Sequence, residues 1–159
     1  MQVMSERSWD ENQPEIIPLC PSDLNPVYQL DQICFSKEIA FPKNLFAYFL
    51  SSPDCASFGI KQNKKLLGFI IVHARTKERG QLVTLDICPE HRRKKIGQKL
   101  LDFAHHYLKE RGFREIFLET ALNNKPAISL YQKLGYKSRG IKKSYYPDGT
   151  DALLMEKTL

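Results

Sequence analysis

A strand, a basic turn, an amphipathic helix and a second strand follow one another between Leu82 and Thr120. This succession limits the fold more than anything else in the chain. Leu82 to Cys88 is an apolar run short enough for a strand. The turn is His91-Arg92-Arg93-Lys94-Lys95-Ile96-Gly97-Gln98. Beyond it Ile96, Leu100, Leu101, Ala104, Tyr107 and Leu108 recur at spacings of three and four, so a helix from about Lys95 to Arg111 buries one face. Gly112 stops it. His105 and His106 fall off that stripe and are expected at the surface. Glu115 to Thr120 is again a strand. Two strands joined by a crossover helix lie parallel with a right-handed connection.

The flanking segments extend this unit on both sides. Residues 1 to 15 are polar apart from Trp9 and read as a flexible lead-in to a single domain over 16–159. Ile16 to Leu19 suits a short strand with Pro18 at its end. Ser22-Asp23 offers an N-cap to a helix running to about Phe35, with Pro26 in its first turn. Pro42 opens a second helix carrying Leu45, Phe46, Phe49 and Leu50. Ala56–Lys61 and Leu66–Arg75 read as a hairpin around Gln62-Asn63-Lys64-Lys65, and Thr76 to Gly80 turns the chain into the strand at Leu82. After the second strand of the unit, Pro126 starts a shorter helix that buries Ala127, Leu130, Tyr131 and Leu134 and ends at Gly135. Closing strands at Tyr136–Tyr145 and Ala152–Lys157 flank the turn Pro147-Asp148-Gly149. An antiparallel meander running into a βαβ unit makes a mixed α/β sheet.

Composition narrows the function. The chain's 159 residues can bury a core without disulfides or metal. No apolar run reaches the roughly 20 residues that cross a bilayer. The first residues lack the apolar segment of a signal peptide, so the expected location is cytoplasmic. Cys20, Cys34, Cys55 and Cys88 show neither C-x-x-C nor histidine-paired spacing, which argues against a metal site, and each reads as a small buried hydrophobe. The net charge of +6 favours an anionic partner. Arg92, Arg93, Lys94, Lys95 and Lys99 gather where a helix begins, against the sense of the helix dipole. A bound polyphosphate resolves that conflict; a solvated basic face is the alternative. Nucleic acid is disfavoured, because no base-stacking aromatic is interleaved with these cations.

Two further residues stand where chemistry could occur. Glu119 ends an apolar strand, the end at which open α/β sheets gather ligands. Tyr131 lies on the inner face of the last helix. A solvated carboxylate and a core tyrosine are the structural alternatives.

The turn Arg92-x-x-Lys95-x-Gly97 resembles the pyrophosphate-binding signature [QR]-x-x-G-x-[GA] of the GNAT acetyltransferase superfamily, with Lys95 where the pattern has its first glycine. The later run Phe117-Leu-Glu119-Thr, Asn124, Ala127-Ile-Ser-Leu-Tyr131, Leu134-Gly-Tyr136 resembles the end of the same domain. The closing Tyr145-Tyr146-Pro-Asp148-Gly-Thr-Asp151-Ala with Met155 is similar to its protein N-terminal acetyltransferase branch, which includes the ribosomal-protein-alanine enzymes. The similarity covers Leu66 to Leu159 well, residues 20–60 loosely and the first 15 not at all.

That resemblance implies the GNAT fold, a mixed sheet of six or seven strands with helices on both faces, and an enzyme acetylating the α-amino group of a protein or peptide from acetyl-CoA. The diphosphate would rest on the turn from Arg92 through Arg93, Lys94, Lys95 and Ile96 to Gly97 and Gln98, where helix-start amides lack partners. Asn124 would contact the pantetheine arm. Glu119 would be the general base and Tyr131 the general acid, with Tyr145 and Tyr146 flanking the acceptor. The oxyanion would face a main-chain amide near Ile87-Cys88 after a bulge in the central strand. Asp86, on that strand, could aid amine recognition. A ribosomal protein is one acceptor so implied, and a small amine on the same scaffold is the enzymatic alternative. The non-enzymatic alternative is a basic module binding nucleotide or nucleic acid without turnover.

Overall fold

The computed structural model describes residues 14–159. Most of the expected lead-in, Trp9 included, lies outside them, while Glu15 already pairs with Lys61 in the first strand. Seven strands form one sheet: β1 (Glu15–Pro18), β2 (Cys55–Gln62), β3 (Lys65–Ala74), β4 (Arg79–Ile87), β5 (Glu115–Ala121), β6 (Lys137–Lys142) and β7 (Ala152–Thr158). Their order across the sheet is β1-β2-β3-β4-β5-β7-β6. Every neighbouring pair is antiparallel except β4 and β5, as the βαβ reading requires.

The helices are α1 (Leu24–Cys34), α2 (Lys43–Ser51), α3 (Ile96–Glu110) and α4 (Lys125–Lys133). Leu100, Leu101, Ala104 and Leu108 of α3, with Ile128 and Tyr131 of α4, pack on Ile70, Val72, Leu82, Ile116, Leu118 and Met155. Val27 and Leu30 of α1 and Phe46 and Leu50 of α2 cover the opposite face through Phe69 and Ile71. β3 is therefore apolar almost throughout, because it is buried on both faces. Each such side chain contributes about 1.5–3 kcal/mol on burial.

Bulges decide which residues face which layer. In β3–β4 the register steps from Ile71↔Thr84 to Val72↔Leu82, which leaves Val83 as an extra residue on β4. Leu82 faces α3, and beyond the bulge Leu85 and Ile87 do so as well. The bulge thus sits at Val83, ahead of Ile87 and Cys88, and it turns Thr84 and Asp86 toward α1.

Several local expectations need correction. β6 ends at Lys142, so Tyr145 and Tyr146 lie in the loop before β7. Asp23 does stand at the N-cap of α1, but its carboxylate turns back to the Cys20 amide and to Lys61 at 2.9 Å each. His105 is buried and its Nε2 lies 2.7 Å from the Tyr136 hydroxyl; burial pushes its pKa down to about 4. His106 is exposed beside Glu110. Of the four cysteines only Cys88 is buried; Cys34 and Cys55 are half-buried and Cys20 is exposed. Among the described residues no helix is long and apolar enough to cross a membrane.

Candidate active site

The parallel pair β4–β5 is joined only at its start, through Arg79↔Glu115, Gly80↔Ile116 and Gln81↔Phe117. Beyond Gln81 the two strands run on to Ile87 and Ala121 without pairing, leaving two facing strand edges unjoined. The Cys88 amide is committed to the Leu67 carbonyl across β3 at 2.8 Å. By antiparallel alternation the Ile87 amide points the other way, toward the splay. Of the two amides the sequence suggested, only that of Ile87 is therefore free to meet an oxyanion.

Alternation along β5 puts Ile116 and Leu118 under the α3 layer and Phe117 and Glu119 on the opposite face. Arg79 and Gln81 of β4 share that face, which α1 and α2 do not reach. A cavity of about 410 Å³ opens there, floored by Phe117 and Leu154 and walled by Arg75, Arg79, Gln81, Glu119, Lys142 and Tyr145. The Glu119 side chain is only 8% exposed. Its Oε1 accepts from Lys142 Nζ at 2.7 Å and its Oε2 from Gln81 Nε2 at 3.1 Å. The Glu119 hydrogen bond holds the Lys142 ammonium above its usual pKa. The carboxylate is thus oriented by an amide and already holds an amino group in a cavity open to solvent.

Tyr131 projects from α4 toward the same splay and is 6% exposed. Its hydroxyl donates to no described residue. Burial, followed by the nearby Asp86 and Tyr146, raises its pKa well above the ordinary phenol value, so it stays protonated at neutral pH. Tyr145 is half exposed in the wall of the cavity, and the Tyr146 ring lies edge-on to it at 5.0 Å. Burial pushes the Tyr146 hydroxyl up to about 12.

Asp86 lies elsewhere. It is 1% exposed, facing Asp31 of α1 rather than the cavity. Asp86 Oδ1 accepts from Thr84 Oγ1 at 2.5 Å and Asp31 Oδ2 from the Phe41 amide at 2.8 Å. The remaining oxygens, Asp86 Oδ2 and Asp31 Oδ1, are buried without a hydrogen-bond partner among the described residues. Burial first, and then the facing Asp31, raises the Asp86 pKa strongly. Structurally, Asp86 ties α1 to β4.

At the basic turn, the Arg93 to Gln98 amides donate to no described residue, which leaves a row of donors at the start of α3. Arg93 and Lys95 hold φ near +63° and +62°, the left-handed region that glycine adopts more cheaply. Lys95 therefore takes the conformation of the glycine it replaces, with its side chain exposed. Successive amides in such a turn form a concave anion seat. Gly97 also has a packing role. A Cβ there would meet Leu130 at 3.3 Å and Leu85 at 3.7 Å, so its bareness lets α3 close on β4 and α4. Arg92 Nε donates to the Ile87 carbonyl at 3.2 Å, linking the turn to the end of β4. Asn124 caps α4 by accepting from the Ala127 amide at 3.3 Å, which leaves its side-chain NH₂ uncommitted.

A splayed parallel pair, an anion seat at one end and a carboxylate at the other agree with what homology finds. The acetyltransferase (GNAT) family model matches residues 24–136. This chain belongs to that family. It is 33% identical over 141 residues to N-alpha-acetyltransferase 30 of Schizosaccharomyces pombe, covering 86% of this chain and 93% of that protein. It is 30% identical over 140 residues to the ribosomal protein bS18-alanine N-acetyltransferase of Escherichia coli strain K12, with 84% and 90% covered. The crystal structure of the Escherichia coli ribosomal-protein-S18-alanine N-acetyltransferase superposes with a TM-score of 0.84 at 28% identity, over 92% of this chain and 94% of that one. The PaiA N-acetyltransferase of Thermoplasma acidophilum, solved in complex with coenzyme A, superposes at 0.77 with 26% identity, over 92% and 99%. The mixed seven-stranded sheet is the GNAT fold expected from the sequence.

Gln81, Lys142, Arg75 and Arg79 were not anticipated from the sequence. Period-two alternation could have placed Arg79 and Gln81 on one face, but which residues of β5 and β6 lie opposite is a matter of register.

Proposed function

We propose that the protein transfers the acetyl group of acetyl-CoA to the N-terminal α-amino group of a protein or peptide by direct attack, acting in the cytoplasm. The observation that carries this reading is Glu119, a nearly buried carboxylate that holds an amino group at 2.7 Å on the open face beside the β4–β5 splay. An acceptor ammonium would take the place of Lys142 and lose a proton to Glu119. Its nitrogen then attacks the thioester carbon, and the carbonyl oxygen draws on the Ile87 amide. As the C–S bond breaks, Tyr131 gives its proton to the sulfur, and the nitrogen, which still carries two protons after the attack, releases one of them to solvent. The amide and the free thiol leave, and Glu119 and Tyr131 exchange protons with solvent to restore the starting state.

The remaining residues hold the reactants in register, which supplies much of the rate. The amides from Arg93 to Gln98 and the cations of the turn suit the coenzyme diphosphate. The unjoined edges of β4 and β5 offer hydrogen bonds to an amide-bearing arm laid between them, with the Asn124 NH₂ alongside. Tyr145 and Tyr146 line the way in for a peptide. Relatives named for ribosomal protein bS18 make a ribosomal-protein N-terminus one acceptor to try.

The test is mass spectrometry after incubation with acetyl-CoA and a library of N-terminal peptides. Glu119→Gln should lower turnover by about 10²–10⁴-fold, the usual range for a general base. Coenzyme binding by calorimetry should change little. Unaltered turnover removes Glu119 from the mechanism. Acetylated polyamine beside untouched peptides overturns the choice of acceptor.

A further inference from the structure

The cavity at Glu119 carries more positive charge than its own carboxylate can balance. Arg75, Arg79 and Lys142 line it, against Glu119 alone. Arg79 is matched from outside the cavity, by Glu115 at 3.1 Å and by the Phe117 ring 4.2 Å from its guanidinium carbon. Arg75 meets no carboxylate among the described residues: its Nε donates to Gln81 Oε1 at 2.7 Å, and its terminal nitrogens make no described hydrogen bond. Lys142 has Glu119 and the flank of the Tyr145 ring at 5.5 Å.

Binding an acceptor worsens this imbalance. An ammonium that takes Glu119 strips Lys142 of its only carboxylate, so two unmatched cations then flank the peptide. From these contacts we infer that the preferred acceptor carries a carboxylate side chain at its second or third position, held by Arg75 and the displaced Lys142. This rests on the acetyl-transfer reading above and names its substrate class. The distances agree. Arg75 stands two hydrogen bonds from Glu119, by way of Gln81. A chain extended from an amine at Glu119 advances about 3.3 Å per residue, so its next one or two side chains come alongside Arg75. Lys142 sits at the end of the exposed edge strand β6, with half of its side chain in solvent, and can follow. A basic side chain at the same positions would meet like charge, so the same residues also exclude.

The test uses peptides of one first residue with aspartate or glutamate, their amides, or lysine at the second and third positions, acetylated by the full chain. At low salt kcat/KM for the acidic peptides should exceed that for the amide isosteres by about ten-fold, and lysine peptides should rank last. In about 0.5 M salt the acidic advantage should shrink, because these groups are open to screening. Arg75→Glu should shift the order toward the lysine peptides, with a thermal melt verifying its fold. If the unaltered protein acetylates all three sets within about two-fold of one another at low salt, the acidic preference is wrong and acetyl transfer stands. If it binds coenzyme and acetylates none of them, both readings fall together.

Discussion

The two halves of the sheet use charged residues in opposite ways. Where helices cover the sheet its ionisable side chains are locked away: Asp86 of β4 against Asp31 of α1, and His105 on α3 against Tyr136. From the start of β4 across β5 and β7 to β6 one face is bare. There Glu119, Lys142, Arg75 and Arg79 border a cavity in pairs that water can reach. In the covered half a charge would cost several kcal/mol unless paired or neutralised, so these groups give up their charge and hold elements together. In the open half charge survives and can be exchanged with a ligand. The candidate site lies where the sheet has outrun the helices that cover it.

Substituting one aromatic from each half is the strongest way to break that contrast. Phe46 is fully buried and packs edge-on against Phe41, Phe49 and Phe69 with centroids 5.8 to 6.1 Å away. Phe46→Ala should cost about 3–5 kcal/mol in denaturant unfolding. Phe117→Ala removes a half-buried ring and its Arg79 stack, and should cost about 1 kcal/mol. Equal losses would mean that the bare face is not bare in solution.

His105 sharpens the comparison through pH. Its folded pKa, near 4, lies below the unfolded value of about 6.5, so between these the unfolded chain binds more protons. The stability it contributes is complete above pH 6.5 and is lost as pH falls toward 4, on the order of 3 kcal/mol in all. His105→Gln should flatten that part of the stability–pH curve. A variant whose curve follows the parent's would place the imidazole in water. The smallest effect is expected at the carboxyl pair. Asp31 and Asp86 have raised folded pKa values, so their contribution is greatest at low pH and declines as pH rises above their ordinary range. Asp86→Asn keeps a donor toward Asp31 and should reduce the decline as pH rises above the ordinary carboxylate range by about 1 kcal/mol. An undiminished decline would show that Asp86 does not take up the proton that the fold loses.

The open half is also where reading from residues fell short. Glu119 and Tyr131 were legible because each ends or lines an element of clear periodicity, and the likeness to GNAT proteins gave them roles. Lys142 was not, since nothing local in Gly140-Ile141-Lys142 says that β6 pairs with β7 outside β5 and brings its ammonium over Glu119. His105 was placed outside by helix periodicity, and the approach of Tyr136 buries it. The packing role of Gly97 was not read from the sequence: its missing Cβ lets α3 approach Leu130.

Sequence alone determined the succession of strands and helices, the parallel unit at the centre, the basic turn before α3 and the family to which all of it belongs. These follow from local periodicity, turn chemistry and short motifs, whose physics spans a few residues. Tertiary structure decided the rest: the bulge at Val83 that turns Asp86 toward α1, the splay of β4 from β5, and the meeting of Arg75, Gln81, Lys142 and Glu119. Each depends on register between strands, which for Gln81 and Glu119 brings together residues 38 positions apart, and register is fixed by the packing of the whole sheet.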